Sequence, residues 1–188
     1  MVLAFLKAEI DSYRFGPAYK IVLSMRGLSR SPLIENADLQ NTCDNRTRIG
    51  LLQEVRGYGA NQYLFAGFPN NVLWRRVTLR QTKLRILKYA YYPEWIKLSG
   101  GSRSVIDGAR NIDAIQVRED INADVKAIVE KTKNGESFPE LIAVQGNGSD
   151  LILIEGSKRA TAYAIAKRPR IIHLIVGSSP DMANWRFY

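Results

Sequence analysis

The chain has 188 residues, of which 46% are hydrophobic, and it carries 27 Lys and Arg against 18 Asp and Glu, a formal net charge of +9. This length and apolar content are enough to bury a core. Cys43 is the only cysteine and His173 the only histidine, which excludes an internal disulfide, a zinc finger and a His-dependent catalytic triad.

The sequence predicts neither a membrane span nor a signal peptide. It has no run of eighteen apolar residues, and its apolar opening is interrupted by Lys7 and Glu9. We therefore expect a cytoplasmic protein.

The positive charge is concentrated in the first half of the chain. Residues 1–106 contain 16 Lys and Arg against 7 Asp and Glu, whereas residues 107–188 contain 11 of each. Such a field favours a polyanionic partner, either nucleic acid or an acidic protein face. An ordinary soluble protein with a basic pI has the same balance, so charge alone leaves the partner open.

In the first half of the chain, residues 44–55 have the apolar spacing of a helix, which Gly57 would end. Residues 72–88 fit both a strand and a helix, and we favour a helix. A small-residue stretch at 98–103 coincides with the change in charge and predicts a domain boundary. The predicted domains are 1–103, a basic, aromatic-rich segment, and 104–188.

The densest basic and aromatic stretch lies between residues 74 and 95. Its cations are the candidates for nucleic-acid binding, because they can neutralise phosphates while the aromatic residues that follow stack on bases. These candidates are Arg75, Arg76, Arg80, Lys83 and Arg85. The alternative is a solvated helix face followed by core aromatic residues.

The second half has clearer element signals. Asn122 is a predicted N-cap of a helix that Gly135 ends, residues 141–144 and 151–154 predict a hairpin, residues 161–166 a helix and residues 171–176 a buried strand. The order helix, strand, strand, helix, strand indicates an α/β or α+β fold.

A strand that runs through a glycine turn directly into a helix is a suitable anion site. Here the turn consists of Glu155, Gly156, Ser157, Lys158 and Arg159. The glycine lets the backbone approach a phosphate, and the first helical turn supplies free N–H groups and a favourable dipole. A solvated helix start often has the same composition, so the turn alone does not decide the function.

Arg103, Asp107 and Arg110 flank the start of the second domain. They are candidates for a second phosphate clamp or, for Asp107, a metal ligand across from Glu155.

With the turn added, the element order over roughly residues 108–180 resembles the nuclease-like domain of the ParB/sulfiredoxin superfamily. The resemblance implies that Gly156, Ser157, Lys158 and Arg159 hold a polyphosphate such as ATP. It makes Glu155 and Arg159 the catalytic candidates, with Mg²⁺ as the expected cofactor. Sulfiredoxins have their catalytic cysteine where this chain has Ser157, so sulfinic acid repair is not expected.

Over its whole length the chain is similar to fertility-inhibition proteins of conjugative plasmids within that superfamily. The similarity lies in the length, the opening at residues 5–10 and the turn. It implies an ATPase and DNase that blocks DNA transfer through a type IV secretion system, beside the coupling protein and thus peripheral to the inner membrane. The alternatives are a non-enzymatic binding inhibitor and a ParB-like small-molecule kinase.

Overall fold

In this computed structural model the chain divides into two compact units, residues 1–70 and residues 71–188. The first unit contains helices and no strand among the described residues. The structure describes residues 1–188, with the exception of the side chain of Glu119. The helices of the first unit are α1 (Val2–Glu9), α2 (Gly16–Met25) and α3 (Thr42–Arg56), with a π-helical turn at Ser31–Glu35 and a 3-10 turn at Tyr63–Phe65.

The predicted helix at residues 44–55 is confirmed as α3. The Asn41 side chain caps it by accepting a hydrogen bond from the Asp44 N–H (3.1 Å), and Gly57 ends it in the left-handed conformation with φ 81°. Arg48 in this helix is buried, and its guanidinium donates to the Leu33 carbonyl (2.6 Å) and to Asn45 Oδ1 (2.6 Å). These bonds satisfy a charged group that would otherwise be costly to bury.

The second unit is built on a five-stranded mixed sheet in the order β1-β5-β3-β4-β2. The strands are β1 (Leu73–Arg80), β2 (Leu87–Tyr89), β3 (Leu141–Gln145), β4 (Leu151–Glu155) and β5 (Ile171–Ser178). The pairs β1–β5 and β3–β4 are antiparallel, and the pairs β3–β5 and β2–β4 are parallel. The predicted hairpin is thus confirmed as β3–β4.

The helices of this unit are α4 (Pro93–Leu98), α5 (Val105–Asn111), α6 (Glu119–Lys133) and α7 (Ser157–Ala166). Apolar residues of α6 and α7, including Val125, Val129 and Ala160, share one core with Leu153 and Leu174 of the sheet. The alternate residues of the central strands are buried as well, for example Ile142, Val144 and Ile175. Burial on both faces explains why these strands read as continuous apolar runs.

The helix favoured for residues 72–88 is wrong. This segment forms the edge strand β1, a 3-10 turn at Gln81–Ile86 and the short strand β2. In β1 the half-buried Val77 and Leu79 alternate with the exposed Thr78 and Arg80, because successive side chains of a strand point to opposite faces of the sheet. This alternation is short in a segment rich in arginine, so it did not distinguish an edge strand from a helix in the sequence.

The chain divides into its two compact units after residue 70, whereas the predicted domain boundary is at 103. The difference arises because β1 pairs with β5 and β2 pairs with β4, so residues 73–89 are integral to the sheet.

Asn122 is not an N-cap. The helix α6 begins three residues earlier, and the buried Asn122 amide donates to the carbonyls of Ile112 (2.8 Å) and Ile115 (3.0 Å). Among the described residues, no helix has both the length and the apolar character that a membrane crossing needs.

Candidate functional site

The Gly156 turn, residues 155–159, connects β4 to α7. Gly156 has φ 99° and ψ 19°, and a Cβ atom there would lie 2.5 Å from Leu141 Cδ2. Both the left-handed conformation and the close approach therefore require glycine. Among the described side chains, none caps the start of α7, so the first N–H groups of the helix are available to an anion.

Arg159 is a nearly buried residue whose guanidinium faces into the turn. It donates to the Pro139 carbonyl and to Glu155 Oε1 (3.0 Å), and the side chains of Arg159 and Glu155 are 8% and 24% exposed. The two predicted catalytic residues thus form an ion pair across the glycine turn, from the end of β4 to the first turn of α7. In this arrangement Arg159 holds Glu155 and the β3 entrance to the turn in place.

Lys158 points away from this pair and towards α6. Its Nζ lies 2.5 Å from Asp124 Oδ2 and 3.4 Å from Asp120 Oδ2, and its side chain is 31% exposed. The hydrogen bonds from Arg118, followed by the charges of Lys158 and Arg118, lower the pKa of Asp120. Because these acceptors lie on the surface, a phosphate at the start of α7 can compete for the Lys158 ammonium.

Arg103, predicted as a second phosphate clamp, is bonded to backbone carbonyls. Its Nε donates to the Tyr89 oxygen (2.8 Å) and a terminal nitrogen donates to the Tyr188 oxygen (2.7 Å). Burial lowers the pKa of its guanidinium. These contacts assign Arg103 a structural role between β2 and the carboxy-terminal segment.

Asp107 and Arg110 form an i,i+3 pair (3.2 Å) on α5, and Asp107 also accepts from the Ser102 hydroxyl (2.7 Å). Within the described side chains, neither hydrogen-bonds to the Gly156 turn. The nearby Tyr89 of β2 does contact α7, where its hydroxyl lies 2.7 Å from Thr161 Oγ1. Burial raises the pKa of this tyrosine, which keeps the phenol protonated.

A magnesium ion bound with a triphosphate typically takes one or two protein carboxylates and several phosphate oxygens. Among the described residues, no group of three His, Cys, Asp or Glu side chains can hold a metal ion by itself. Glu155 is partly exposed beside the start of α7 and fits the role of a single carboxylate ligand. Both Asp107 oxygens have protein partners, so Asp107 does not fit it equally well.

The five nucleic-acid candidates divide into two groups. Arg76 pairs with Glu140 (3.1 Å), and Arg75 donates to Gln145 Oε1 (3.4 Å). Arg80, Lys83 and Arg85 are exposed, and no ion pair involves them among the described residues.

Three further exposed cations lie beside this second group, namely Lys167, Arg168 and Arg170 at the end of α7 and the start of β5. Sequence reasoning missed them because β5 is far from β1 in the chain. The signal was present as a cluster of cations around Pro169, directly before a buried strand.

Comparisons with protein-family models, curated proteins and solved structures found no match in any of the three. The class of the protein rests on its own fold. It is a mixed α/β protein with a five-stranded mixed sheet, in which a glycine turn leads from a strand into a helix that no described side chain caps.

Proposed function

We propose that this chain is a ParB/sulfiredoxin-like hydrolase that binds ATP at the Gly156 turn, hydrolyses it and cleaves DNA. The observation that carries the proposal is the start of α7, where a left-handed glycine precedes uncapped N–H groups and Lys158. Backbone N–H groups, a helix dipole and an adjacent ammonium are the elements that bind phosphate in proteins.

Each residue of the turn has a distinct part in this proposal. The N–H groups of Ser157 and Lys158 bind phosphate oxygens, and the Lys158 ammonium moves from Asp124 to the phosphate. Arg159 positions Glu155 through their 3.0 Å hydrogen bond. Glu155 orients the attacking water and offers a ligand to Mg²⁺, which when bound would neutralise charge on the phosphates.

By its resemblance to plasmid fertility-inhibition proteins of the oncogenic-suppression type, the protein would block transfer of another element's DNA through a type IV secretion system. In that role its partners are DNA and the coupling protein, at the cytoplasmic side of the inner membrane. The excess of cations in residues 71–188, which hold 19 Lys and Arg against 12 Asp and Glu, supports a polyanionic partner.

ATP hydrolysis and plasmid nicking by the full chain test the proposed function. Lys158→Ala is the informative variant, because its partners lie on the surface and its loss leaves the core intact. Lys133→Ala, which removes another exposed lysine paired with a carboxylate, is the matched control. We expect both activities to fall at least about ten-fold in Lys158→Ala, since a charge-assisted hydrogen bond contributes about 1.5–3 kcal/mol.

If Lys158→Ala hydrolysed ATP and nicked plasmid as fast as the wild type, the Gly156 turn would not be the site of these reactions.

A non-enzymatic inhibitor is the second candidate. It is favoured by one observation: Lys158, Arg159 and Glu155 already have protein partners in the turn. A wild-type protein that binds DNA but shows neither ATP hydrolysis nor nicking would support this candidate.

A further inference from the structure

Six exposed cations lie within five residues of the Arg80–Ile171 pair, where the edge strand β1 ends, and we call them the basic edge: Arg80, Lys83, Arg85, Lys167, Arg168 and Arg170. We propose that the basic edge binds the phosphate backbone of duplex DNA. The proposal rests on the proposed function in that it names the site where the DNA substrate is held.

The fold brings these residues together from two distant parts of the chain. Arg80 at the end of β1 is opposite Ile171 at the start of β5, and the Gln81 N–H donates to the Arg170 carbonyl (3.0 Å). Lys83 and Arg85 follow in the 3-10 turn, and Lys167 directly follows α7. The basic edge is thus a product of the β1–β5 pairing.

The six cations of the basic edge have no bound counter-charge. Within the described residues, no carboxylate lies within ion-pair distance of any of them, whereas eight of the other thirteen cations of this unit pair with a carboxylate. Arg76, four residues before Arg80 on the same strand, pairs with Glu140 at 3.1 Å. A concentration of unneutralised cations attracts a polyanion and releases its counterions on binding.

The chemistry of the basic edge favours DNA over an acidic protein. Protein interfaces depend on buried apolar or aromatic anchors, whereas phosphate contacts are made mainly by Arg and Lys. Leu84, between Lys83 and Arg85, is fully buried, and the exposed apolar side chain at this edge is Ile171 at 45%. The surface therefore offers charge with little apolar contact area, which suits binding to a backbone without reading its sequence.

The basic edge and the Gly156 turn lie at the same end of the sheet. Glu155 at the end of β4 is paired with Ile142 near the start of β3, and Leu141 is paired with Leu174 of β5. The 10 residues of α7 separate the two features by about 15 Å, at 1.5 Å per residue. DNA on the basic edge would therefore pass near the turn without occupying it.

Equilibrium binding of a labelled 30-base-pair duplex to the full chain, over a range of salt concentrations, tests the proposal. The variant Arg80→Ala/Arg168→Ala/Arg170→Ala is compared with Lys7→Ala/Lys20→Ala/Arg46→Ala, which has the same net charge but loses exposed cations of residues 1–70. For the first variant we expect the slope of log K against log salt to decrease in magnitude by about 2–3, with Kd raised at least about ten-fold near 0.1 M salt. The second variant should differ from the wild type by less than about three-fold, through its general charge alone.

Three results would overturn the proposal. These are no binding of duplex DNA by the wild type, equal weakening in the two triple variants, and binding of polyglutamate in place of DNA through the same six residues. Wild-type ATP hydrolysis, measured on the same preparation, separates this test from that of the proposed function. If the wild type hydrolyses ATP but the basic-edge variant binds DNA as tightly as the wild type, only the DNA site is refuted. If the basic-edge variant binds DNA more weakly but the wild type does not hydrolyse ATP, only the proposed nucleotide chemistry is refuted.

Discussion

Gly156 is the residue on which the geometry of the turn depends most directly. Its positive φ and the 2.5 Å approach to Leu141 Cδ2 each disfavour a side chain. We expect Gly156→Ala to lower the free energy of unfolding by at least about 1–3 kcal/mol, measured by denaturant titration. Gly148→Ala in the β3–β4 turn, where a Cβ meets open space, is the control and should have little effect; equal stability of the two variants would contradict the strained turn.

Arg159 stabilises the turn through buried contacts. Its removal leaves the Pro139 carbonyl and the Glu155 carboxylate without their donor. Arg159→Ala should therefore lower the free energy of unfolding by about 1–3 kcal/mol, whereas Arg110→Ala, which removes a 74% exposed arginine, should change it by less than about 0.5 kcal/mol. Because Arg159→Ala is expected to be less stable, any loss of its activity has to be compared with its loss of stability before a catalytic role is assigned. An unchanged unfolding curve would show that these contacts contribute nothing.

Under the proposed function, the Lys158–Asp124 ion pair would let a single residue set the affinity for ATP. If the ammonium leaves Asp124 for a phosphate, removing the Asp124 charge removes a competitor. Asp124→Asn should bind ATP several-fold more tightly than the wild type in calorimetric titration, since a surface ion pair contributes up to about 1 kcal/mol. Asp113→Asn, which frees Lys126 elsewhere on α6, should leave the affinity unchanged. Weaker ATP binding by Asp124→Asn would mean that the Lys158–Asp124 ion pair supports ATP binding instead of competing with it.

The residues of the turn were identifiable from the sequence, but their partners were not. Glycine before a helix, followed by two cations, predicts an anion site by local chemistry alone. That Lys158 contacts α6 and that Arg159 bonds to Pro139 depends on the packing of α7 against distant segments. Arg103 illustrates the same limit, because its carbonyl acceptors lie at positions 89 and 188.

Among the elements, β1 is the strand that brings Arg80 opposite the start of β5. Leu79 faces the core beside Ile172, whereas Thr78 is exposed opposite His173. Leu79→Ala should lower the free energy of unfolding by about 1–2 kcal/mol, as expected for a partly buried leucine, and Thr78→Ala should change it by less than about 0.5 kcal/mol. The two variants are a matched pair on neighbouring positions. A larger effect at Thr78 would contradict the strand register.

Elements buried on both faces were predictable, and the edge strand was not. The strands β3 and β4 contain short, uninterrupted apolar runs bounded by turn residues, and β5 contains a similar run that only His173 interrupts. These runs identify strands in the sequence. The strand β1 has three residues that are half-buried and five that are exposed, so its pattern fits two periods equally well. Its pairing with β5, about a hundred residues later, decides between them.

At the scale of the molecule, the positive charge belongs mainly to the sheet-containing unit. Residues 1–70 hold 8 Lys and Arg against 6 Asp and Glu, whereas residues 71–188 hold 19 against 12. The domain boundary predicted at residue 103 assigns this excess to a segment separate from the domain that contains the Gly156 turn. Since residues 73–89 form part of the sheet, the cations and the Gly156 turn lie in the same unit, which suits a protein that acts on DNA and ATP together.

The central claim is that a triphosphate binds at the uncapped start of α7, and backbone amide exchange of the full chain with and without a non-hydrolysable ATP analogue tests it most directly. The account predicts slower exchange of the Ser157 and Lys158 amides on binding, because none of the described side chains caps these N–H groups in the free protein. Unchanged exchange at these two amides under saturating analogue, or protection confined to other segments, would contradict it.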